Sequence, residues 1–310
     1  MKVYKGFSEY TPVKNAVVTT GTFDGVHVGH KTIIDRLIGI AAKHGGETVL
    51  ITFHPHPRLV LQKDADLKLL STIDERIDLL SQAGVDHLII IPFDKAFSRL
   101  TSLDFVRKIL INSVGTKRLV IGYDHHFGRN REGTFQHLLE YGPMYGFDVE
   151  EIPALEVNDV NVSSTKIRIA LQNGEVSKAS DFLGQPYAIC GKVVKGNQIG
   201  RSIGFPTANI KISEPYKLIP KEGVYAVNVI HGENSFAGML NIGRRPTLGG
   251  DNALSIEVNI FDFDKWIYGE ELKLEIIKRV RNEISFNDVN ELKLQLEQDL
   301  LDCKKILTLV

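Results

Sequence analysis

The chain is poor in cysteine: it has two in 310 residues, Cys190 and Cys303, and they lie far apart. Two cysteines are too few for a disulfide framework, and their spacing matches no zinc site. Two buried thiols in a reducing compartment are therefore expected. Also missing are the ~18 consecutive apolar residues of a membrane-spanning helix and an apolar signal segment after Met1. These absences predict a cytoplasmic protein without a membrane partner.

An excess of charge of either sign is missing too. The 37 basic and 38 acidic residues give a net charge of −1, whereas nucleic-acid-binding domains carry a strongly basic face. No nucleic-acid partner is therefore expected. The contents of 43% hydrophobic and 24% charged residues are typical of globular domains. At ~100–200 residues per domain the length predicts two domains, which we place at residues 1–183 and 184–310.

The first domain shows apolar β-branched runs that alternate with helical patterns. Strands are expected at 16–20, 48–53, 87–91 and 118–122. Helices are expected at 30–43, 71–82 and 102–111. Ser71 is predicted to cap the second helix. Continuous apolar strands with helical connections predict a Rossmann-like parallel sheet covered on both faces. Ligands bind beyond the carboxyl ends of such strands, so functional residues are expected there.

The pattern changes after residue 187. Short, glycine-punctuated strands with alternating apolar residues are expected at 188–194, 223–230, 235–242, 254–261 and 271–280. Strands of this length and spacing predict a small antiparallel β-barrel. The last segment, 287–307, predicts an amphipathic helix. Its apolar stripe is expected to contain Leu292, Leu296, Leu300 and Cys303.

The segment Gly21-Thr-Phe-Asp-Gly-Val-His-Val-Gly-His30 joins the first predicted strand to the first helix. A helix start offers unpaired N–H groups and a positive dipole end to a phosphate. His27 and His30 are three residues apart, so they face the same side of the turn. Two imidazoles there suit binding of nucleoside triphosphate phosphates and in-line attack at the α-phosphorus.

This segment resembles the His-X-Gly-His signature of the nucleotidyltransferase superfamily. Its members include cytidylyltransferases, pantetheine-phosphate adenylyltransferase and the adenylyltransferase half of bacterial FAD synthetases. The resemblance implies catalytic roles for His27 and His30. It implies nucleotide contacts for Gly21, Phe23, Asp24 and Gly29.

A second segment, Val162-Ser-Ser-Thr-Lys-Ile-Arg168, is similar to the late signature of that superfamily. Ser163, Ser164 and Thr165 are predicted to begin a helix and to bind phosphate. Arg168, one turn later, would clamp the β- and γ-phosphates as a further catalytic residue. The segment differs from the Lys-Met-Ser-Lys-Ser of tRNA synthetases, which argues against that branch.

Thr52-Phe-His-Pro-His-Pro57 resembles the Phe-X-Pro-His-Pro element of FAD synthetases. The resemblance implies that Phe53 packs against an isoalloxazine ring and that His56 reaches a phosphate of the flavin substrate.

Gly122-Tyr-Asp-His-His-Phe-Gly128 resembles the Gly-X-Asp/Asn-Phe-X-Phe-Gly element of the same family. Asp124 is the expected nucleotide contact. Some members carry Phe where this chain has His125, which leaves the individual roles of Asp124 and His125 open. A metal pair at His125 and His126 is disfavoured, because adjacent side chains rarely share a face.

The second domain begins with a glycine-rich segment in which Gly196, Gly200 and Arg201 are predicted to wrap ATP phosphates. It continues as Gly-Phe-Pro-Thr-Ala-Asn209, which resembles the Pro-Thr-Ala-Asn signature of riboflavin kinases. Thr207 and Asn209 point to the same side of a strand. Their oxygens are hard ligands that suit Mg²⁺.

Two further positions take their roles from this resemblance. Glu257 matches the catalytic base of riboflavin kinases, and a carboxylate can accept the proton of an attacking ribityl hydroxyl. Arg281 is expected to help close the flavin site.

The resemblance to bacterial bifunctional riboflavin kinase/FAD synthetases covers residues 15–170 and 185–305. It implies phosphorylation of riboflavin to FMN by ATP, transfer of AMP to FMN giving FAD and pyrophosphate, and Mg²⁺ at both sites. The expected partners are these small molecules, and the expected state is a monomer or weak homo-oligomer. Two alternatives remain: a cytidylyltransferase or pantetheine-phosphate adenylyltransferase with an accessory barrel, and a non-catalytic flavin-binding protein.

Overall fold

The computed structural model describes residues 1–62, 66–123, 125–153, 156–157, 160–196, 200, 203–246, 252–286 and 288–308. The chain divides into two compact units, Met1–Ser164 and Thr165–Val310. The predicted boundary at residue 183 lies C-terminal to this division and stays a prediction about the folding domains.

The first unit is built on a parallel sheet. Its strands are β1 (Lys2–Lys5), β2 (Val17–Thr20), β3 (Thr48–His54), β4 (His87–Pro92), β5 (Arg118–Gly122) and β6 (Asp148–Ile152). They lie in the order β1-β4-β3-β2-β5-β6, and every neighbouring pair is parallel. β7 (Glu156–Val157) and β8 (Val160–Asn161) form a separate antiparallel pair. The predicted parallel sheet is thus confirmed.

Helices connect these strands. They are α1 (Val28–His44), α2 (Pro57–Leu61), α3 (Ile73–Gln82), α4 (Ser102–Asp104) and α5 (Phe135–Tyr145). The chain continues from α4 directly into a π-helical segment, Phe105–Val114. Ser71 does not cap α3: Thr72 does, in a reciprocal pair with the backbone and side chain of Glu75. Thr72 and Glu75 stand three apart, the spacing of a capping box, and this arrangement leaves Ser71 to bond elsewhere.

The sheet buries both of its faces. Val49 and Ile51 on β3 enter one apolar cluster, whereas Leu50, between them, enters the cluster on the other side. Successive side chains of a strand point to opposite faces, so a strand covered on both sides is apolar over most of its length. This explains why the strand patterns are continuous rather than alternating.

The second unit is a closed antiparallel barrel preceded by two helices. The helices are α6 (Ser164–Asn173), whose first residue belongs to the first unit, and α7 (Val176–Leu183). The barrel strands are β9 (Tyr187–Val194), β10 (Ala208–Lys211), β11 (Gly223–His231), β12 (Asn234–Pro246), β13 (Asn252–Ile260) and β14 (Glu271–Arg281). They close in the order β10-β13-β12-β11-β14-β9. The predicted barrel is confirmed.

The last helix, α8 (Val289–Ile306), packs on the barrel. Cys303 is fully buried and packs with Leu296, Leu300 and barrel residues that include Met239. Burial raises the pKa of its thiol to about 12, so the sulfur behaves as an apolar group. Neither cysteine forms a disulfide, and Cys190 is only half-buried, so the expectation of two buried thiols was wrong for Cys190. No helix of the described ranges is long and apolar enough to cross a membrane.

Candidate active sites

The loop between β2 and α1 has an unusual backbone. Gly25 has a φ of +80°, and the non-glycine residues Phe23 and Val26 have φ values of +47° and +42°. Positive φ is costly for a residue with a side chain, especially a β-branched one. Both side chains are nevertheless buried. The surrounding structure therefore holds this loop in a strained conformation, which is common at functional sites.

Asp24 provides much of that hold. Its carboxylate accepts the backbone N–H groups of Leu70 and Ser71, each at 3.0 Å, and the Ser71 hydroxyl at 3.2 Å. Ser71 Oγ also accepts the N–H of Gly25 at 3.1 Å. Asp24 thus ties the loop to the segment before α3. The nucleotide contact that we predicted for Asp24 stays a prediction.

His27 and His30 are brought together at the start of α1. The His27 Nδ1 atom accepts the backbone N–H of His30 at 3.3 Å, so His27 caps the helix. The two rings stack with their centroids 3.6 Å apart. Since Nδ1 is an acceptor, the proton of a neutral His27 ring lies on Nε2. Gly29 leaves room for this ring, because a Cβ there would lie 3.3 Å from it.

The environment keeps His30 neutral. Burial, the adjacent His27 and the guanidinium of Arg76 lower the pKa of His30 well below its usual value. Its Nδ1 atom is enclosed and has no hydrogen-bond partner among the described residues. The Phe23 ring, on which Gly21 packs, lies 4.9 Å from the His30 ring. A bound polyphosphate would supply the negative charge that favours a protonated imidazole here.

Arg76 is a buried cation that the sequence analysis missed. It lies on α3 with 1% of its surface exposed. Its Nη1 atom donates to Thr52 Oγ1 at 3.4 Å and to the Phe53 carbonyl at 3.5 Å. Thr52 Oγ1 donates in turn to the Thr22 carbonyl in the motif loop at 3.2 Å. An arginine on an amphipathic helix resembles a solvent-facing residue in sequence, so no signal marked it.

The serine-rich signature begins a helix, as predicted. α6 starts at Ser164, whose hydroxyl donates to the Asp24 carbonyl at 3.1 Å. Ser163 lies immediately before it, Thr165 is exposed in the first turn, and Arg168 follows one turn later on the same helix. The contact at Ser164 joins the second motif to the first. Phosphate binding by these residues stays a prediction.

Phe53 lies near the end of β3, and His56 follows that strand. Phe53 lies in a series of aromatic rings, 5.8 Å from Phe93 and 5.7 Å from Phe97 between centroids. His56 caps α2 by accepting the Arg58 N–H on its Nδ1 atom at 3.2 Å. Both residues thus have structural partners, and their predicted contacts with flavin and phosphate remain predictions.

The segment after β5 holds a second perturbed histidine. His125 stacks on Phe127 with centroids 5.9 Å apart. Its Nε2 atom is enclosed without a hydrogen-bond partner in the described ranges. Burial, followed by the neighbouring charges of His126 and Arg131, lowers its pKa to about 4. Asp124, the predicted nucleotide contact, lies outside the described residues.

The second unit brings Glu257 and Thr207 into direct contact. The Thr207 hydroxyl donates to Glu257 Oε2 at 3.1 Å, and the Ser255 hydroxyl donates to Oε1 at 2.9 Å. Asn209 on β10 and Asn241 on β12 lie directly opposite Glu257 in the sheet register. Directly opposite residues share a face, so the predicted base and the two predicted metal ligands meet on one surface of the barrel.

The glycine-rich segment approaches the same surface. A Cβ on Gly196 would overlap the side-chain amide of Asn209, so a larger residue there would have to displace that amide. The Gly200 carbonyl accepts the N–H groups of Ile203 and Phe205 at 3.2 and 2.8 Å. Arg201 lies outside the described residues. Phosphate binding at Gly196 and Gly200 remains a prediction.

Thr207 and Asn209 offer hydroxyl and amide oxygens, which fit Mg²⁺. Within the described ranges no group of three or more His, Cys, Asp and Glu could hold a metal ion. Mg²⁺ does not need such a cage, because substrate phosphates and water fill most of its coordination positions.

Arg281 is engaged by α8. Its guanidinium makes a two-pronged ion pair with Asp299, with Nε and Nη2 at 2.8 and 2.6 Å from the two carboxylate oxygens. Asp299 is 1% exposed and also accepts the Gln295 amide. The pair therefore fixes α8 to the end of β14, and the flavin contact predicted for Arg281 stays a prediction.

Both units of the chain match known protein families. The family model for FAD synthetase matches residues 10–166, and the family model for riboflavin kinase matches residues 183–307. A relative from Listeria monocytogenes, described as bifunctional riboflavin kinase/FMN adenylyltransferase, is 38% identical over 96% of this chain and 93% of its own. The chain belongs to the bifunctional riboflavin kinase/FMN adenylyltransferase family.

Other similar proteins agree in length. The bifunctional riboflavin kinase/FMN adenylyltransferase of Escherichia coli K12 is 35% identical and aligns with 98% of this chain and 97% of its own. A crystal structure from Streptococcus pneumoniae, described as a macrolide-efflux protein, has the same fold. It is 31% identical, covers 98% of both chains and superposes with a TM-score of 0.88.

Beside the predicted base lie two residues that the sequence motifs did not mark. Ser255 contacts the predicted base, and the Asn259 side chain donates to the Pro206 carbonyl at 2.7 Å, just before Thr207. Both stand two residues from Glu257 on β13. Period-two spacing from Glu257 was the available signal, since alternate residues of a strand share a face.

Proposed function

We propose that this chain makes both flavin cofactors. The barrel unit phosphorylates riboflavin to FMN with ATP, and the parallel-sheet unit transfers AMP from a second ATP to FMN, releasing pyrophosphate. The observation that carries this proposal is that one chain contains two different arrangements of side chains, each suited to reactions of phosphates. A stacked imidazole pair lies at a helix start, and a carboxylate is bonded to the threonine of Pro-Thr-Ala-Asn.

In the kinase reaction Glu257 accepts the proton of the ribityl 5′-hydroxyl as that oxygen attacks the γ-phosphorus of ATP. The bond to the ADP oxygen breaks as the new bond forms. Thr207 suits a double role, because a hydroxyl has one proton and two lone pairs. It can donate to Glu257 while a lone pair faces a metal ion. Bound Mg²⁺, held by Thr207 and Asn209, would neutralise phosphate charge.

In the adenylyl-transfer reaction a phosphate oxygen of FMN attacks the α-phosphorus of ATP. His27, with its proton on Nε2, and His30 bind the phosphates as charge develops on them. The backbone N–H groups at the start of α1 can also donate hydrogen bonds to the phosphates. Arg168 is proposed to hold the β- and γ-phosphates that leave as pyrophosphate.

Paired variants test the two-site assignment. His27→Asn combined with His30→Gln keeps a side chain that can cap α1, so the fold is expected to survive. FAD synthesis from supplied FMN should fall more than about 100-fold, while FMN formation from riboflavin stays near the wild-type rate. Glu257→Gln should give the reverse pattern. Chromatography of the flavins measures both products, and equal loss of both activities in either variant would contradict two separate sites.

We further propose that Mg²⁺ serves both sites and that the partners are small molecules rather than nucleic acid or membrane. The protein is proposed to work in the cytoplasm as a monomer or weak homo-oligomer. Light scattering at increasing protein concentration measures the last point, and a stable large assembly would contradict it.

A further inference from the structure

The carboxylate of Glu257 is held on both of its oxygens. Ser255 Oγ donates to Oε1 at 2.9 Å, and Thr207 Oγ1 donates to Oε2 at 3.1 Å. Two donors on different oxygens fix the rotation of a carboxylate about its last bond, which a single donor leaves broad. The side chain is therefore presented in one orientation before any ligand arrives.

We propose that Ser255 is a positioning residue for the kinase base: its hydroxyl holds Glu257 so that an oxygen lone pair faces the attacking hydroxyl. This inference rests on the proposed kinase function. Ser255 itself touches neither riboflavin nor ATP in this scheme. It acts only through the carboxylate.

The fold makes this arrangement rigid. Ser255 and Glu257 stand two apart on β13, so both side chains leave the same face of the strand. Ile256 and Val258, on the opposite face, are 5% and 0% exposed, and they anchor that part of β13 in the barrel core. At Glu257 the strand β13 is paired on both sides, with β10 and β12, and Ser255 is paired with Gly243 of β12. A donor on such a strand is placed more accurately than one on a loop.

The two donors have different duties. Thr207 is also the proposed metal ligand, so its hydroxyl must serve the carboxylate and the ion together. Ser255 has no such second duty in the proposed mechanism, and it keeps Glu257 oriented while ligands enter and leave around Thr207. Loss of its hydroxyl should therefore impair proton removal without weakening the binding of either substrate.

The expected effect is on kcat. Misplacement of a reacting group by about 1 Å can cost about 100-fold in rate, and Thr207 retains part of the hold. We expect Ser255→Ala to lower the kcat of riboflavin phosphorylation about 10- to 100-fold. The KM values for riboflavin and ATP should stay within about 2-fold. Ser255→Thr keeps the hydroxyl and suits a strand, so it should recover most of the lost kcat.

Two controls separate positioning from damage to the barrel. Ser235→Ala makes the same chemical change at an exposed site on β12 of the same barrel and should leave kcat unchanged. Thermal unfolding followed by the fluorescence of Trp266, the single tryptophan, reports whether the barrel unit of Ser255→Ala is still folded. FAD synthesis from supplied FMN should be unaffected in all three variants.

The outcomes are distinct. An unchanged kcat in Ser255→Ala, or a kcat that Ser255→Thr fails to restore although it folds, would overturn the positioning role. A rise in KM with constant kcat would also overturn it, because that result would make Ser255 a binding residue. Failure of the wild-type protein to phosphorylate riboflavin would instead refute the kinase function on which the inference rests.

Discussion

Replacement of His125 by phenylalanine should make the first unit more resistant to acid. His125 has a pKa of about 4 in the folded chain, because of its burial and the nearby charges of His126 and Arg131. In the unfolded chain the pKa of this histidine has its ordinary value of ~6.5. Between these two values the unfolded chain binds a proton that the folded chain does not bind. The free energy of unfolding therefore falls as the pH decreases through this window and levels off below about 4.

The magnitude follows from the difference. Each pH unit crossed within the window costs ~1.36 kcal/mol, so acidification from pH 6.5 to pH 5 gives an upper limit of about 2 kcal/mol. His125 as a whole residue is half-buried, and solvent screening reduces this limit to about 1–2 kcal/mol. His125→Phe keeps an aromatic ring next to Phe127 but removes the ring nitrogens that bind the proton. The free energy of unfolding of the variant, relative to that of the wild-type chain, should therefore increase by this amount as the pH falls from 7.5 to 5.

Urea unfolding followed by far-ultraviolet circular dichroism at the two pH values measures the difference. Fluorescence of Trp266 reports on the second unit, which does not contain His125, and should show no effect of the variant. His44→Phe, at an exposed position in the last turn of α1, is the matched surface change and should alter stability by less than about 0.5 kcal/mol. Wild-type and His125→Phe curves that move in parallel with pH would refute the reasoning.

Two further predictions concern the barrel unit. Asp299→Asn leaves the Arg281 guanidinium without its buried counter-charge and should lower the free energy of unfolding by about 3 kcal/mol. Urea unfolding followed by Trp266 fluorescence measures this, with Glu297→Gln on the exposed side of α8 as control; equal midpoints for the two variants would contradict the prediction. Gly196→Ala should push the loop away from Asn209 and lower FMN formation about 10-fold or more, with unchanged FAD synthesis from supplied FMN. Steady-state rates decide it, and full FMN formation would show that the loop tolerates a Cβ.

Much of the fold was accessible from sequence periodicity. The strands β3 and β4 were predicted, because burial on both faces gives each of them a continuous central run of apolar residues. The outer strands β1 and β6 were missed. β1 reads Lys-Val-Tyr-Lys and β6 begins Asp-Val-Glu-Glu, and edge strands carry charges that hide their pattern.

The sites were accessible where a motif concentrates its residues in a few positions. His27 with His30, and Thr207 with Glu257, do meet in the structure. Two buried charged residues, Arg76 and Asp299, were not predicted. Both stand on helices, and their burial depends on packing from distant segments. Local sequence patterns contain no information about such contacts.

The left-handed backbone at Phe23 and Val26 lowers the stability of the fold but holds the loop in the shape that the proposed site needs. Each such residue costs about 1–3 kcal/mol, and the Asp24 and Ser71 hydrogen bonds offset that cost only while the loop keeps its shape. Selection for heat resistance alone would favour substitutions that relax these dihedral angles. Such substitutions would move the start of α1, and with it the imidazole pair. A thermostable form that is still active would therefore be expected to gain its stability elsewhere, for example in the barrel or on α5.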